Sequence, residues 1–227
     1  MDTMWTELAP DLWPAFWMTI KLTLLSALGS LVWGTILTGF RVSPIPVLRG
    51  FGTAYVNIVR NTPLTLVILF CSIGLYQNLG LTLAPENDHF IENNNFALAV
   101  LGFVLYTSTF VCESLRAGIN TVPLGQAEAA RSLGLGFLQI LGLIVLPQAF
   151  RAVIAPLGSV FIALTKNTTI ASVIGVAEAS LLMKSTIENH ADQIFLVFGI
   201  FAVGFMILTL PTGLFFGWLG NRLAVKR

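Results

Sequence analysis

Apolar residues run along this chain in stretches too long for a strand and too unbroken for the helix of a soluble protein. A hydrocarbon core of about 30 Å needs about 20 helical residues, and five stretches meet that length. They cover residues 15–40, 51–80, 96–116, 152–183 and 194–219. The first is bounded by Pro14 and Arg41. The second is interrupted by Arg60-Asn61-Thr62-Pro63, and the fourth by Lys166-Asn167-Thr168-Thr169. Residues 119–151 are partly apolar but broken by Pro123, Gly134, Gly136 and Pro147. Hydropathy alone allows a sixth span there, but the charge pattern favours a segment outside the membrane.

That pattern sorts the connections into two sets. Arg41, Arg49, Arg116, Arg131, Arg151, Arg222, Lys226 and Arg227 fall on one side. Asp2, Glu7, Asp11, Glu86, Asp88, Glu92, Glu188 and Asp192 fall on the other. Basic loops stay cytoplasmic, which predicts an external N-terminus, a cytoplasmic C-terminus and an odd number of spans. A sixth span would carry the basic tail outside. The acidic N-terminus also lacks the basic flank of a cleaved signal peptide.

Composition agrees. Of 227 residues, 10% are charged and 56% hydrophobic, against roughly 25% charged in a soluble domain. A soluble enzyme, a nucleic-acid binder and a disordered chain are excluded. The fold class expected is all-α integral membrane, in one domain covering 1–227. Cys71 and Cys112 lie in apolar runs, and His89 and His190 are isolated, so neither a disulfide framework nor a metal site is expected.

Residues 119–151 contain a short alanine-rich helix, predicted from Gln126 to Leu133, with Glu128 in its first turn. Gly134 and Gly136 end it. A second apolar helix is expected over 137–146, with a bend at Pro147. Glu128 and Arg131 share a face and can pair or be read by a partner. Small alanines would let another protein approach closely. An ordinary amphipathic loop helix fits the same physics.

Polar groups at bilayer depth are costly, at least about 2.5 kcal/mol per charge near the centre. Glu113 and Arg116, three residues apart, read as a structural ion pair, and Glu178 can pair with Lys184 or Lys166. Arg60 and Lys166 each precede a helix-start signal. Thr62 can cap a helix opening at Pro63, and Thr168 or Thr169 can cap one continuing through Ile170. Those caps either satisfy their own backbones or mark half-helices whose free N–H groups, with two cations nearby, receive a carboxylate. Arg60, Asn61, Thr62, Lys166, Asn167, Thr168 and Thr169 are therefore the substrate-pathway candidates. RNTPLTLVI (60–68) and KNTTIASVI (166–174) echo one another, as a parallel repeat would.

Glu128-Ala129-Ala130, then Gly134, then Ile144-x-Leu146-Pro147, resembles the EAA signature of ABC importer permeases. Nearly the whole chain is similar to the polar amino acid subfamily of these permeases, through Arg60-Asn61-Thr62-Pro63, Glu113-x-x-Arg116-x-Gly118-Ile119, Gly125-Gln126 and Lys166-Asn167-Thr168-Thr169. Two positions depart: Asn61 stands where the family more often has Gly, and Asn167 where it more often has an acidic residue. YQNLGLTLA, LYTSTFV, ESLRAGINTV, LTKNTTIASVIGV and LPTGL carry the likeness to the glutamate-uptake branch.

The resemblance implies the type I ABC importer permease fold. Gln126, Glu128, Ala129, Ala130, Arg131 and Gly134 would form a coupling helix docked on an ATPase dimer. A second permease subunit, either a sister chain or a second copy, and an extracytoplasmic binding protein would complete the machine in the cell membrane. No Gly-Lys-Ser/Thr occurs, so no P-loop is present. This chain would bind no cofactor, and ATP-Mg would sit on the partner ATPase. The competing expectation is a self-sufficient channel or ion-coupled secondary transporter. An intramembrane enzyme lacks support, since no nucleophile–base or metal cluster is visible.

Overall fold

The computed structural model describes the backbone from Asp2 to Leu223 and the side chains from Met4 to Leu223. The side chain of Asp2, and Lys226 and Arg227, which the charge argument used, lie outside the described residues. Helices form nearly everything else. The elements are α1 (Asp2–Val42), α2 (Pro46–Arg60), α3 (Leu64–Leu69, continued by the π-helix Phe70–Asn78), α4 (Phe90–Ile119), α5 (Leu124–Ser132), α6 (Phe137–Ile140), α7 (Leu146–Asn167), α8 (Ala179–Asn189) and α9 (Ile194–Leu223).

Four helical runs are long and apolar enough to cross a membrane: Met4–Val42, Phe90–Ile119, Phe137–Ile174 and Ala191–Leu223. The fifth, Pro46–Arg60 with Leu64–Asn78, is a pair bent by 105°. The second stretch of the sequence is thus not one straight rod. The loop carboxylates lie toward one end of the bundle and the arginines toward the other, with Glu113 and Glu128 at the arginine end and Lys184 at the opposite one as exceptions. Glu7 meets His190 at 3.0 Å at the acidic end, and Arg41 meets Glu113 near the basic end.

Helix α1 starts earlier than the sequence implied. It continues through Pro10 and Pro14 to Asp2, although an internal proline removes a hydrogen bond and disfavours helix. Met4 and Leu8 explain why, since both are buried with Phe16, Ala179, Val197 and Phe201 in a second core at the acidic end. That packing offsets the proline penalty. The main core joins α1, α3, α4 and α7 through Leu22, Ile68, Phe103, Leu157 and Leu164. Helices α1 and α4 approach closely. A Cβ on Gly34 would stand 2.7 Å from Val111 Cβ and 2.9 Å from the Ser108 carbonyl, a close approach that small residues permit between membrane helices.

The fourth stretch needs two corrections. The span expected over 152–183, after a bend at Pro147, belongs to an apolar helical run that begins earlier, at Phe137, inside the segment assigned to the cytoplasm, and ends at Ile174. The chain passes through a π-helical turn, Leu141–Val145, in which the Leu146 N–H bonds the Leu141 carbonyl five residues back. The wider turn accommodates the proline ring, and α7 runs on. Nor does the helix break at Lys166. It tightens into a 3-10 segment, Thr168–Ile174, and turns only at Gly175, whose φ is +77°. Helix α8 then packs against α1 and α9 at the acidic end instead of prolonging the span.

Candidate functional site

Two regions hold the sequence candidates: the α5 helix at the basic end and the polar breaks beside α3 and α7.

Helix α5 spans Leu124–Ser132. It starts two residues earlier than expected because the turn after α4 ends at Val122, and Pro123 flanks the helix. Glu128 therefore falls in the second turn, and no acidic residue occupies the first. The C-terminus is a complete Schellman motif. Leu135 N–H bonds the Ala130 carbonyl at 3.2 Å, Gly134 N–H bonds that of Arg131 at 2.9 Å, and Gly134 has φ +83°. Only glycine adopts that backbone cheaply.

Ala130 is buried, on the side that packs over α6 and the π-turn, so it is not part of an approach surface. Gln126, Glu128, Ala129 and Arg131 are exposed. Glu128 and Arg131 form no ion pair among the described residues. Both charges are free for a partner. Gln126 is anchored to α7, accepting at Oε1 from Gln148 Nε2 at 2.6 Å. The sequence reading overlooked the leucines flanking this helix: Leu124 is 80% and Leu133 83% exposed. An apolar pair bracketing a charged helix is what a partner interface presents at its core. Their signal was present, as leucines at both ends of a polar helix.

At the first break, Thr62 does not cap α3. Its hydroxyl donates back to the Ile58 carbonyl at 2.9 Å, and Asn61 Nδ2 donates to the Asn57 carbonyl at 2.7 Å. Both complete the end of α2. Pro63 occupies the N-cap position, and no side chain caps α3.

Arg60 is 48% exposed, with Nη1 3.8 Å from Glu113 Oε1. That carboxylate has a stronger partner in Arg41, at 2.5 Å and only 8% exposed. Arg116 Nη1 stands 3.7 Å from Glu113 Oε2. One carboxylate thus gathers arginines from α1, α2 and α4. The expected pairing of Glu113 with Arg116 is present, but it is weaker than that with Arg41 and comparable to that with Arg60. Sequence distance hid Arg41, 72 residues away.

At the second break, neither Thr168 nor Thr169 caps a helix. Their hydroxyls donate to the Thr165 and Lys166 carbonyls at 2.7 and 2.8 Å. Hydroxyls inside a helix commonly bond back to a carbonyl one turn earlier in this way. The cap belongs to Glu178, fully buried, which accepts from Ser180 N–H at 2.8 Å and Leu181 N–H at 3.0 Å. It pairs with neither Lys184 nor Lys166; Lys184 donates to Ser172 Oγ at 2.7 Å. The signal was Gly175 followed by an acidic residue before Ala179.

Lys166 is exposed near the C-terminus of α7, where a cation suits the helix dipole, and its ammonium has no partner among the described residues. Asn167 lines a cavity of about 270 Å³ with Tyr106, Thr107, Phe110 and Ser159. The echoing segments touch, since α3 packs against the 3-10 segment. Their cations are not in contact: Arg60 turns to Glu113, while Lys166 stays free. Among the described residues no cluster of metal-ligating side chains occurs.

Residues 30–225 match the family described as the inner membrane component of binding-protein-dependent transport systems. The chain belongs to this family. As an inner-membrane permease component it crosses the bilayer several times, and in such systems ATP hydrolysis belongs to a separate subunit.

The glutamate transport system permease protein GluC of Corynebacterium glutamicum is 70% identical, across 100% of both chains. A probable glutamine ABC transporter permease of Bacillus subtilis is 34% identical over 92% of this chain and 91% of its own. Among solved structures, an amino acid ABC transporter crystallised with histidines superposes with a TM-score of 0.82 at 28% identity, covering 96% of each chain. A methionine ABC transporter, MetNI, in an inward-facing form shares the fold at 17% identity, with a TM-score of 0.70 and coverage of 94% and 96%.

Proposed function

We propose that this chain is the permease subunit of an ATP-driven glutamate importer. The full-length 70% identity to a glutamate transport permease carries the reading. The N-terminus faces outward and the C-terminus the cytoplasm, an orientation supported by the basic residues gathered at one end. A second permease, a sister chain or another copy, completes the path. An ATPase dimer binding ATP-Mg docks on α5, touching Glu128, Ala129, Arg131 and the flanking leucines. A binding protein delivers substrate at the acidic end.

Within the path, Lys166 is the carboxylate contact, because it is the unpartnered cation of the two breaks. Asn167 adds an amide beside it, and Arg60 contributes less, since Glu113 partly neutralises it. Asn61, Thr62, Thr168 and Thr169 shape the backbone on which the two cations stand. When ATP closes the ATPase dimer, α5 is pulled, and the Gln126–Gln148 bridge transmits the pull to α7. The bistable element is the permease pair.

Glutamate uptake by reconstituted complexes tests this. Lys166→Ala should raise KM for glutamate about ten-fold, the loss of roughly one charge-assisted hydrogen bond, with the complex still assembling. Unaltered kinetics would remove Lys166 from the path. Uptake that persists without the ATPase and follows only ion gradients would overturn the importer reading.

A further inference from the structure

At the basic end, between the start of α7 and the end of α9, lies a groove of about 600 Å³. Its polar lining is Thr121, Gln126, Gln148, Arg151 and Asn221, with no carboxylate among the lining residues. Gln126 and Gln148 are bridged to each other at one wall. Arg151 has no ion pair, and Asn221 no hydrogen bond, among the described residues. A guanidinium and an amide with unused donors, facing space without a counter-charge, form a receptor for an anion. Arginine suits phosphate because its planar fork offers paired donors.

The surroundings restrict the anion's source. The floor is smooth, made of Ala152, Ala155, Gly217 and Gly220. Outside the groove, on the rest of α7 and α9, Phe150, Leu214, Phe215 and Trp218 are all more than half exposed. Such faces in a membrane protein meet acyl chains. Arg222 lies over the Trp218 ring, 5.2 Å from its centroid, the aromatic and cationic pairing of an interfacial headgroup layer.

We propose that this groove binds the phosphate of an anionic phospholipid, with Arg151 and Asn221 holding the headgroup and the exposed apolar surface of α7 and α9 meeting its acyl chains. The proposal requires that the groove faces lipid in the assembled permease pair with its ATPase, and is independent of the transported substrate. A lipid held there would brace the side of α7 that carries the Gln126–Gln148 bridge.

Native mass spectrometry of the purified permease–ATPase complex, supplied with equal dioleoylphosphatidylglycerol and dioleoylphosphatidylcholine, tests it. The wild type should retain phosphatidylglycerol preferentially. Arg151→Ala with Asn221→Ala should reduce that retention about five-fold, the equivalent of one cation's attraction near an anionic surface, about 1 kcal/mol. Arg151→Lys, which keeps the charge but loses the paired donors, should retain an intermediate amount. If the double variant fails to assemble, Asn221→Ala alone and the lipid preference of the wild type decide. Equal retention of the two lipids, or unchanged retention in the variants, overturns the site. Displacement of phosphatidylglycerol by inorganic phosphate overturns the lipid assignment, since the groove would then read the free anion.

Discussion

Glu113 shows how one side chain sets the polarity of a whole region. Its carboxylate holds Arg41 in the interior and has Arg60 and Arg116 within 4 Å. Removing a charge from such a cluster strands the most buried partner, which is Arg41. Glu113→Gln should therefore destabilise the purified complex by on the order of 2 kcal/mol, the cost of losing a hydrogen bond between charged groups. Arg60→Ala should change stability little, because that arginine is half exposed and the pair is long. Thermal melts followed by tryptophan fluorescence compare the two, and a larger loss for Arg60→Ala would contradict the geometry.

Among the elements, termination matters more than propensity. Helix α5 ends on Gly134 in the left-handed region, so Gly134→Val should cost roughly 1–2 kcal/mol or more locally and lower glutamate-stimulated ATPase activity. Gly199→Ala, in α9 away from α5 and with nothing within 4 Å of an added Cβ, should leave that activity unchanged. Equal losses in both would dissociate the Schellman turn from coupling. Helix α8 depends on its buried cap: Glu178→Ala should cost about 1 kcal/mol and speed amide exchange over 179–189. Thr169→Ala, removing a hydroxyl that caps nothing, should leave exchange there unaltered.

These contrasts also mark what was legible locally. Gly134 announced its turn because a glycine after an alanine-rich helix has one common use. The threonines at 62, 168 and 169 misled because hydroxyls serve equally well as N-caps and as donors to a preceding carbonyl. Which use prevails depends on where the next helix begins, and that is settled by packing of α3 against the 3-10 segment.

For the whole molecule, charge asymmetry and apolar length predict the arrangement in the membrane. In a chain with Cys71 and Cys112 replaced, a membrane-impermeant maleimide should label Asp88→Cys in intact cells. Gln126→Cys should react only after permeabilisation. The reverse pattern would invert the topology and with it the docking of the ATPase.

Helical class, membrane residence, the short α5 and its glycine stop follow from the sequence by itself, because they rest on local quantities: apolar run length, the count of charges, the backbone freedom of one residue. The 105° bend between α2 and α3, the persistence of α1 through Pro10 and Pro14, and the gathering of three arginines on Glu113 were decided only in the tertiary structure. Each depends on partners far away in the chain, and burial against those partners outweighs the local preference of any one residue.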